Sequence, residues 1–356
     1  MKKALIAMSG GVDSSVAALL IKEMGYESIG ITMKLYDNED IGEKKENTCC
    51  SLDDIADARA VCNRLGIPHY VFNFRDSFNE QVIERFIKAY ETGATPNPCI
   101  DCNRYIKFDR LLRRMYELEI DYVVTGHYAR IEFDETLGRF VLKKALDDSK
   151  DQSYVLYSLT QEQLAHTLFP LGFMNKTEVR KVAEENNFIN AKKHDSQDIC
   201  FVPDGKYAEF IEQYRGKSYA NGEFVDKNGN VLGEHKGIIR YTIGQRKGLG
   251  LALPAPMYVC EKDLENNKVV LCSNEELFSK ELYANELNLI TCEKISEPMK
   301  IKAKVRYNQK EQSATVEQIG DDLIHIVFDE PQRAICKGQA VVMYDGDVVV
   351  GGGTII

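Results

Sequence analysis

The sequence predicts an α/β protein: an N-terminal doubly wound parallel sheet, then a small central β-rich domain, then a C-terminal β-barrel. Three observations carry this prediction. From Lys3 to Thr125, short apolar runs alternate with longer amphipathic ones. The first apolar run breaks into Ser9-Gly10-Gly11 and opens at once into a helical pattern. Beyond Asp204 the alternation gives way to short β-type segments.

In chain order, strands are expected at Lys3–Met8, Ser28–Met33, His69–Asn73 and Tyr122–Thr125, each a compact apolar run. Helices are expected at Ser14–Met24, Leu52–Leu65, Asn79–Glu91 and Ile106–Glu117, with Gly25 and Gly66 where helix C-terminal glycines belong. Such alternation gives a parallel sheet with helices on both faces and ligands at the carboxyl ends of its strands. The Ser9 loop and Gly126-His127 both follow strands, so both can face one site. Residues 129–146 read as a hairpin, Thr177–Glu185 as a helix and Asn228-Gly229-Asn230 as a turn. Residues 273–356 read as the short strands of a small barrel. The expected domains are 1–205, 206–272 and 273–356.

An apolar content of 44% with 28% charged residues is that of a soluble globular chain. No run approaches the ~18 apolar residues of a membrane span. The first strand begins too early to leave room for a signal peptide. Ten cysteines then read as reduced thiols in a cytoplasmic protein. The net charge of −10 weighs against nucleic acid only as a whole-chain property. Lys236 to Cys260 carries Lys236, Arg240, Arg246 and Lys247 with no carboxylate, and Pro298 to Lys310 carries Lys300, Lys302, Lys304, Arg306 and Lys310 with none. Local basic surface is what phosphate recognition needs.

The loop Ser9-Gly10-Gly11-Val12-Asp13-Ser14-Ser15 has the chemistry of an anion site. Its glycines let backbone N–H groups approach a phosphate, the following helix presents its positive end, and Ser9, Ser14 and Ser15 offer hydroxyls. Asp13 would repel a phosphate unless a cation lay between them, which points to Mg²⁺. The loop is not a Walker motif, because no Lys-Ser/Thr pair follows its last glycine. It resembles the pyrophosphatase loop of the N-type ATP pyrophosphatases, which cleave ATP between the α- and β-phosphates.

Thr95-Pro96-Asn97-Pro98-Cys99-Ile100-Asp101-Cys102-Asn103 reads as a rigid loop ahead of a helix, where a thiol has a lowered pKa. Its C-x-x-C pair suits a redox dithiol, half a zinc site or part of an iron–sulfur site. A third thiol, Cys200, follows Asp195-Ser196-Gln197-Asp198-Ile199. Cys49, Cys50, Cys62, Cys260, Cys272, Cys292 and Cys336 read as packing or surface thiols.

These blocks, together with Ile106-Lys107-Phe108, Thr125-Gly126-His127-Tyr128, Lys150-Asp151-Gln152-Ser153-Tyr154, Tyr241 through Gly248 and Val305-Arg306-Tyr307, resemble the tRNA-specific 2-thiouridylases in family order over essentially the whole chain. The resemblance implies that ATP adenylates the C2 oxygen of the wobble uridine and that sulfur from a persulfide replaces it. A relay protein or cysteine desulfurase would supply that sulfur. It implies Cys200 as persulfide carrier and Cys102 as partner thiol, ending as a Cys102–Cys200 disulfide. It assigns ATP contacts to Ala7, Met8, Ser9, Gly10, Gly11, Val12, Asp13, Ser14, Met33 and Gly126. It assigns tRNA contacts to Asn97, Pro98, Cys99, His127, Lys150, Asp151, Gln152, Arg306, Tyr307 and Gln339.

One position departs from the pattern: many family members have Asp where this chain has Cys99. Three thiols, Cys99, Cys102 and Cys200, then offer an alternative anchor for an iron–sulfur cluster. The run Lys300 to Tyr307 alternates, so Lys300, Lys302, Lys304 and Arg306 are expected on one strand face and Ile301, Ala303, Val305 and Tyr307 on the other. A tRNA backbone is one partner for such a face; an edge strand guarded by lysines is the other reading. The competing functions are an ATP pyrophosphatase ligase acting on a small molecule and a non-catalytic tRNA-binding protein.

Overall fold

The computed structural model describes residues 1–37, 52–193, 199–202 and 205–356. Cys49, Cys50 and Asp195-Ser196-Gln197-Asp198 lie outside the described residues. Strands β1 (Lys3–Ala7), β2 (Glu27–Lys34), β3 (His69–Asn73), β4 (Tyr122–Val124) and β7 (Thr167–Leu168) form a parallel sheet of order β3-β2-β1-β4-β7. Ala4, Leu5 and Ile6 of β1 are fully buried, as a strand covered on both faces requires. Leu5 and Val123 face a core with Phe78, Phe86 and Met115. Ala4, Ile6 and Val124 face another with Val16, Ala17 and Val61. The chain winds from β1 out to β3, then returns to β4 on the other side of β1. The crevice at this reversal opens at the carboxyl ends of β1 and β4.

Helices α1 (Val12–Glu23) and α2 (Leu52–Leu65) follow the expected spans and end at Gly25 (φ +83°) and Gly66 (φ +66°). Two helical runs are longer than the sequence suggested. One is continuous over residues 75–91 through a π segment, Asn79–Ile83. The other starts at Pro98, contains a π segment at Cys102–Arg110 and ends at Glu117. The C-x-x-C therefore lies inside a helix rather than in a loop ahead of one. Asn97 accepts the Cys99 N–H on its side chain (3.2 Å) and Pro98 takes the first helical position, a start signal the reading passed over. A helix also precedes the central strands: Tyr207, Phe210, Ile211 and Tyr214 share one face of Tyr207–Arg215, at i, i+3, i+4 and i+7.

Strands β5 (Ala129–Asp134) and β6 (Arg139–Lys144) form the expected hairpin. Strands β8 (Gly222–Asp226), β9 (Val231–His235), β10 (Tyr258–Asp263) and β11 (Lys268–Cys272) make the central sheet. The last six strands are β12 (Phe278–Leu289), β13 (Met299–Lys304), β14 (Gln312–Gly320), β15 (Leu323–Arg333), β16 (Ala340–Asp345) and β17 (Val348–Ile355). They close into an antiparallel barrel because β12 pairs with both β15 and β17. The hairpin joins this sheet where Lys143 of β6 pairs with Val348 of β17. No helix among the described residues is long and apolar enough to cross a membrane.

Candidate active site

The loop after β1 is built for close approach. A Cβ on Gly10 would lie 2.5 Å from the Asp54 carbonyl oxygen, so only glycine fits there. Gly11 is the N-cap of α1 and offers no side chain to the first-turn N–H groups. These uncapped donors suit an anion. The serines divide in role: Ser14 and Ser15 are buried and donate to the Gly11 carbonyl oxygen at 3.0 Å, shaping the loop, while Ser9 stays exposed. Asn190 donates to the Gly10 carbonyl oxygen and the Ser15 hydroxyl (3.0 and 2.9 Å). Lys193 reaches the same carbonyl oxygen (3.3 Å) from an ion pair with Asp54 and Asp57 (both 2.7 Å). Ala7, Met8 and Val12 are buried beneath the loop, Met33 is half-buried in β2, and Gly126 presses on the backbone at the start of α1.

Asp13 does not stand bare. Lys176 Nζ donates to both carboxylate oxygens at 2.8 Å, and the Tyr128 hydroxyl donates to Oδ1 at 2.7 Å. The carboxylate is a hard oxygen donor at the mouth of the glycine loop, a donor type that fits Mg²⁺.

Cys102 and Cys200 both border the core that contains Phe78 and Phe86. Neither thiol is part of a disulfide. Cys200 is anchored by the Tyr36 hydroxyl donating to its carbonyl oxygen (2.8 Å), and the adjacent Phe201 ring packs edge-on against Phe78 and Phe86. Cys102 departs from expectation: burial pushes its thiol up to about 11, with Lys107 pulling the other way. It sits inside the helix that Pro98 begins, away from the N–H groups that would stabilise a thiolate. Lys107 is five residues on along the π segment, and its Nζ also lies 3.4 Å from His127 Nε2. No set of three His, Cys, Asp or Glu side chains among the described residues is arranged to hold a metal ion. Cys99, Cys102 and Cys200 are all described, so the alternative reading of them as an iron–sulfur anchor is not supported.

Of the remaining predicted contacts, Tyr307 lies between Cys99 and the Asp151 turn. Cys99 is exposed and interacts electrostatically with Tyr307, whose hydroxyl donates to the Asp151 carbonyl oxygen (3.1 Å). The Gln152 side chain accepts the Tyr128 N–H (3.0 Å), while the Asp151 carboxylate accepts from Ala145 and Ser153. Lys150 belongs to the same turn. Gln339 donates to the Thr95 carbonyl oxygen (2.7 Å), tying the barrel to the segment that carries Asn97 and Pro98. His127 is buried under the site with Nδ1 2.7 Å from the Thr125 hydroxyl, and burial keeps its imidazole neutral.

Two readings of the basic strand need correction. β13 pairs with β14 on one side and β16 on the other, so it is not an edge strand. It ends at Lys304, and Arg306 turns inward instead of sharing the lysine face, donating to the Ala334 carbonyl oxygen and the Cys336 sulfur. Lys300 and Lys302 do stand exposed while Ile301 and Ala303 are buried. In the other basic stretch, Arg240 is engaged by Glu209 (2.7 Å) and Glu212 (2.6 Å), leaving Arg246 and Lys247 exposed.

Comparison with known proteins matches three family models in tandem. Residues 2–204 match the tRNA methyl transferase HUP domain, 208–273 the tRNA methyl transferase PRC-barrel domain and 279–355 the aminomethyltransferase beta-barrel domain. The tRNA-specific 2-thiouridylase MnmA of Clostridioides difficile is 54% identical over 354 residues, covering 99% of this chain and 98% of the relative. That of Acetivibrio thermocellus is 52% identical over 355 residues, covering 99% of both. The chain belongs to the tRNA-specific 2-thiouridylase family.

In this 2-thiouridylase, sequence reasoning missed Lys176, Tyr128, Asn190 and Lys193 as parts of the loop's surroundings. Lys176, Asn190 and Lys193 come from distant segments that no local pattern ties to Asp13 or Gly10, whereas Tyr128 closes the quoted Thr125-Gly126-His127-Tyr128 motif, whose loop was already expected to face the Ser9 loop. Lys107 was within reach of sequence reasoning: it lies in a quoted motif, and a π segment brings residues five apart onto one face.

Proposed function

We propose that this chain is an ATP-dependent tRNA-uridine 2-sulfurtransferase that thiolates the wobble uridine. The observation that carries the reading is full-length similarity to 2-thiouridylases around a glycine loop with an uncapped helix start. In this reading Gly10, Gly11 and the first turn of α1 hold the phosphates, Gly126 lets the two crevice loops meet, and Asp13 takes the Mg²⁺. Bound there, Mg²⁺ would neutralise the pyrophosphate leaving group.

The C2 carbonyl of uridine is a poor electrophile, and adenylation makes its oxygen leave as AMP. The terminal sulfur of a Cys200 persulfide attacks C2. Cys102 then attacks the inner sulfur, releasing 2-thiouridine and leaving a Cys102–Cys200 disulfide for an external thiol to reduce. The relay is preferred to a cluster because the three thiols form no metal-holding group. A relay protein or cysteine desulfurase delivers the persulfide, and the setting is cytoplasmic. The catalytic domain spans 1–205, with 206–272 and 273–356 facing the tRNA. Exposed Lys300 and Lys302, with Cys99, Tyr307 and the Lys150–Gln152 turn, form its contact surface.

The test is turnover with tRNA, ATP and a persulfide donor, measuring AMP, pyrophosphate and 2-thiouridine. ADP and phosphate as products would overturn the reading. Pyrophosphate release driven by a small acceptor without tRNA would favour a small-molecule ligase.

A further inference from the structure

The Asp13–Lys176 pair puts an ion pair at the mouth of the glycine loop. The ammonium bridges both carboxylate oxygens at 2.8 Å, and its side chain is only 12% exposed. A cation-binding carboxylate is thus already neutralised before any cation arrives. The backbone of Lys176 is held firmly. Asn175 and Glu178 form a reciprocal capping box around it, and the Lys176 N–H donates to Asp147 Oδ2 at 3.1 Å. Only the flexible four-carbon stem is left to move the charge. Tyr128 holds Asp13 Oδ1 independently of the lysine, so the carboxylate keeps its orientation if the ammonium leaves.

We propose that Lys176 is a counter-ion that changes partner: it pairs with Asp13 in the nucleotide-free protein and moves to a phosphate oxygen when a divalent cation occupies the carboxylate. The inference rests on the proposed ATP site and deepens it. A bare carboxylate beside the loop would repel a triphosphate, and a permanent lysine would exclude the metal. One ammonium on a mobile stem avoids both. It also gives the site a positive group that this loop, lacking a Walker lysine, does not supply from its own residues. Lys176 is then a nucleotide-binding residue, although no motif marks it.

The experiment compares equilibrium ATP binding in EDTA and in Mg²⁺. Lys176→Met exposes the Asp13 charge when no metal is present. It is expected to weaken ATP binding by about tenfold or more in EDTA but by only about threefold in Mg²⁺. Adding Asp13→Asn to that variant removes the uncovered charge and restores most of the loss in EDTA. Asp13→Asn alone, a near-isosteric change, frees the lysine. It should tighten Mg²⁺-free ATP binding and abolish the enhancement by Mg²⁺, even if Lys176→Met does not fold. Equal losses for Lys176→Met in both buffers, or no gain for Asp13→Asn in EDTA, would show a static tie between helices and overturn the inference. A wild-type protein that binds no ATP in either buffer would overturn the function reading itself.

Discussion

Gly126 packs directly against the backbone of Asp13: a Cβ there would lie 2.8 Å from the Asp13 carbonyl carbon and equally close to the Ser14 nitrogen. Neither atom can yield as a flexible side chain would. Gly126→Ala should part the two crevice loops and weaken ATP binding by about tenfold or more, with little change in secondary structure. Calorimetric titration with ATP and circular dichroism check both halves; full ATP affinity would contradict the close-packed crevice.

Cys102→Ser and Cys200→Ser should each abolish thiolation and leave tRNA affinity within about twofold, and the double variant should be no worse than either. In the free protein, Cys102 starts high, near 11, through burial. Its alkylation should therefore rise about tenfold per pH unit from neutrality up to that value. Lys107→Met removes the opposing cation and should slow alkylation at every pH in this range. A plateau already reached at pH 8 would contradict the buried, protonated thiol.

Cys99 separates the two sulfur chemistries. With no metal-holding set of thiols among the described residues, protein purified anaerobically should be iron-free and fully active with a persulfide donor. Cys99→Asp and Cys99→Ala should both keep activity. Iron content that tracks activity through these variants would contradict the relay.

Lys300→Ala and Lys302→Ala should each flatten the salt dependence of tRNA binding by roughly one log–log unit or less. Arg306→Ala should instead lower thermal stability, by about 1 kcal/mol, because its guanidinium is tied to Ala334 and Cys336. Filter binding at several salt concentrations and thermal melts distinguish the two. A slope change for Arg306→Ala equal to that of the lysines would place Arg306 on the RNA.

Lys262 donates to the Tyr241 carbonyl oxygen (3.1 Å), and burial lowers it from 10.5 to about 8. Between those values the unfolded chain binds more protons than the folded one, so stability contributed by this residue rises with pH across the window. Below it, the folded protein carries a poorly solvated charge. Lys262→Met should therefore be the more stable protein at pH 7 and should lack the wild-type gain between pH 8 and 10. Denaturant midpoints at several pH values measure this.

The sheet was legible because β1 and β4 are compact apolar runs, buried almost throughout, that leave no alternation to misread, while the edge strand β3, with Tyr70 and Val71 exposed, was legible from its β-branched and aromatic residues. The glycine loop was legible because its chemistry is contiguous. Reading failed where local signals compete. Two prolines beside Asn97 suggested a loop, yet Asn-Pro is also a helix start. Lys300 to Tyr307 alternates, yet the strand turns after Lys304 and takes Arg306 inward. The Lys176 contact was hidden for another reason: 163 residues separate it from Asp13, and only tertiary packing joins them.

The junction of β6 with β17 has a consequence for how the chain is made. Lys143 leaves the ribosome long before its partner Val348 is synthesised. At ordinary elongation rates that interval is about 10–40 s. Throughout it, the outer flank of the hairpin is an unpaired strand edge, open to any passing chain. Charged Arg139, Lys143 and Lys144 along β6 discourage such encounters, and Lys143 is already paired with Glu132 inside the hairpin (2.6 Å). A nascent chain cut short before residue 348 would keep this sticky edge for good, so truncation at the barrel is expected to send the otherwise intact N-terminal part toward aggregation.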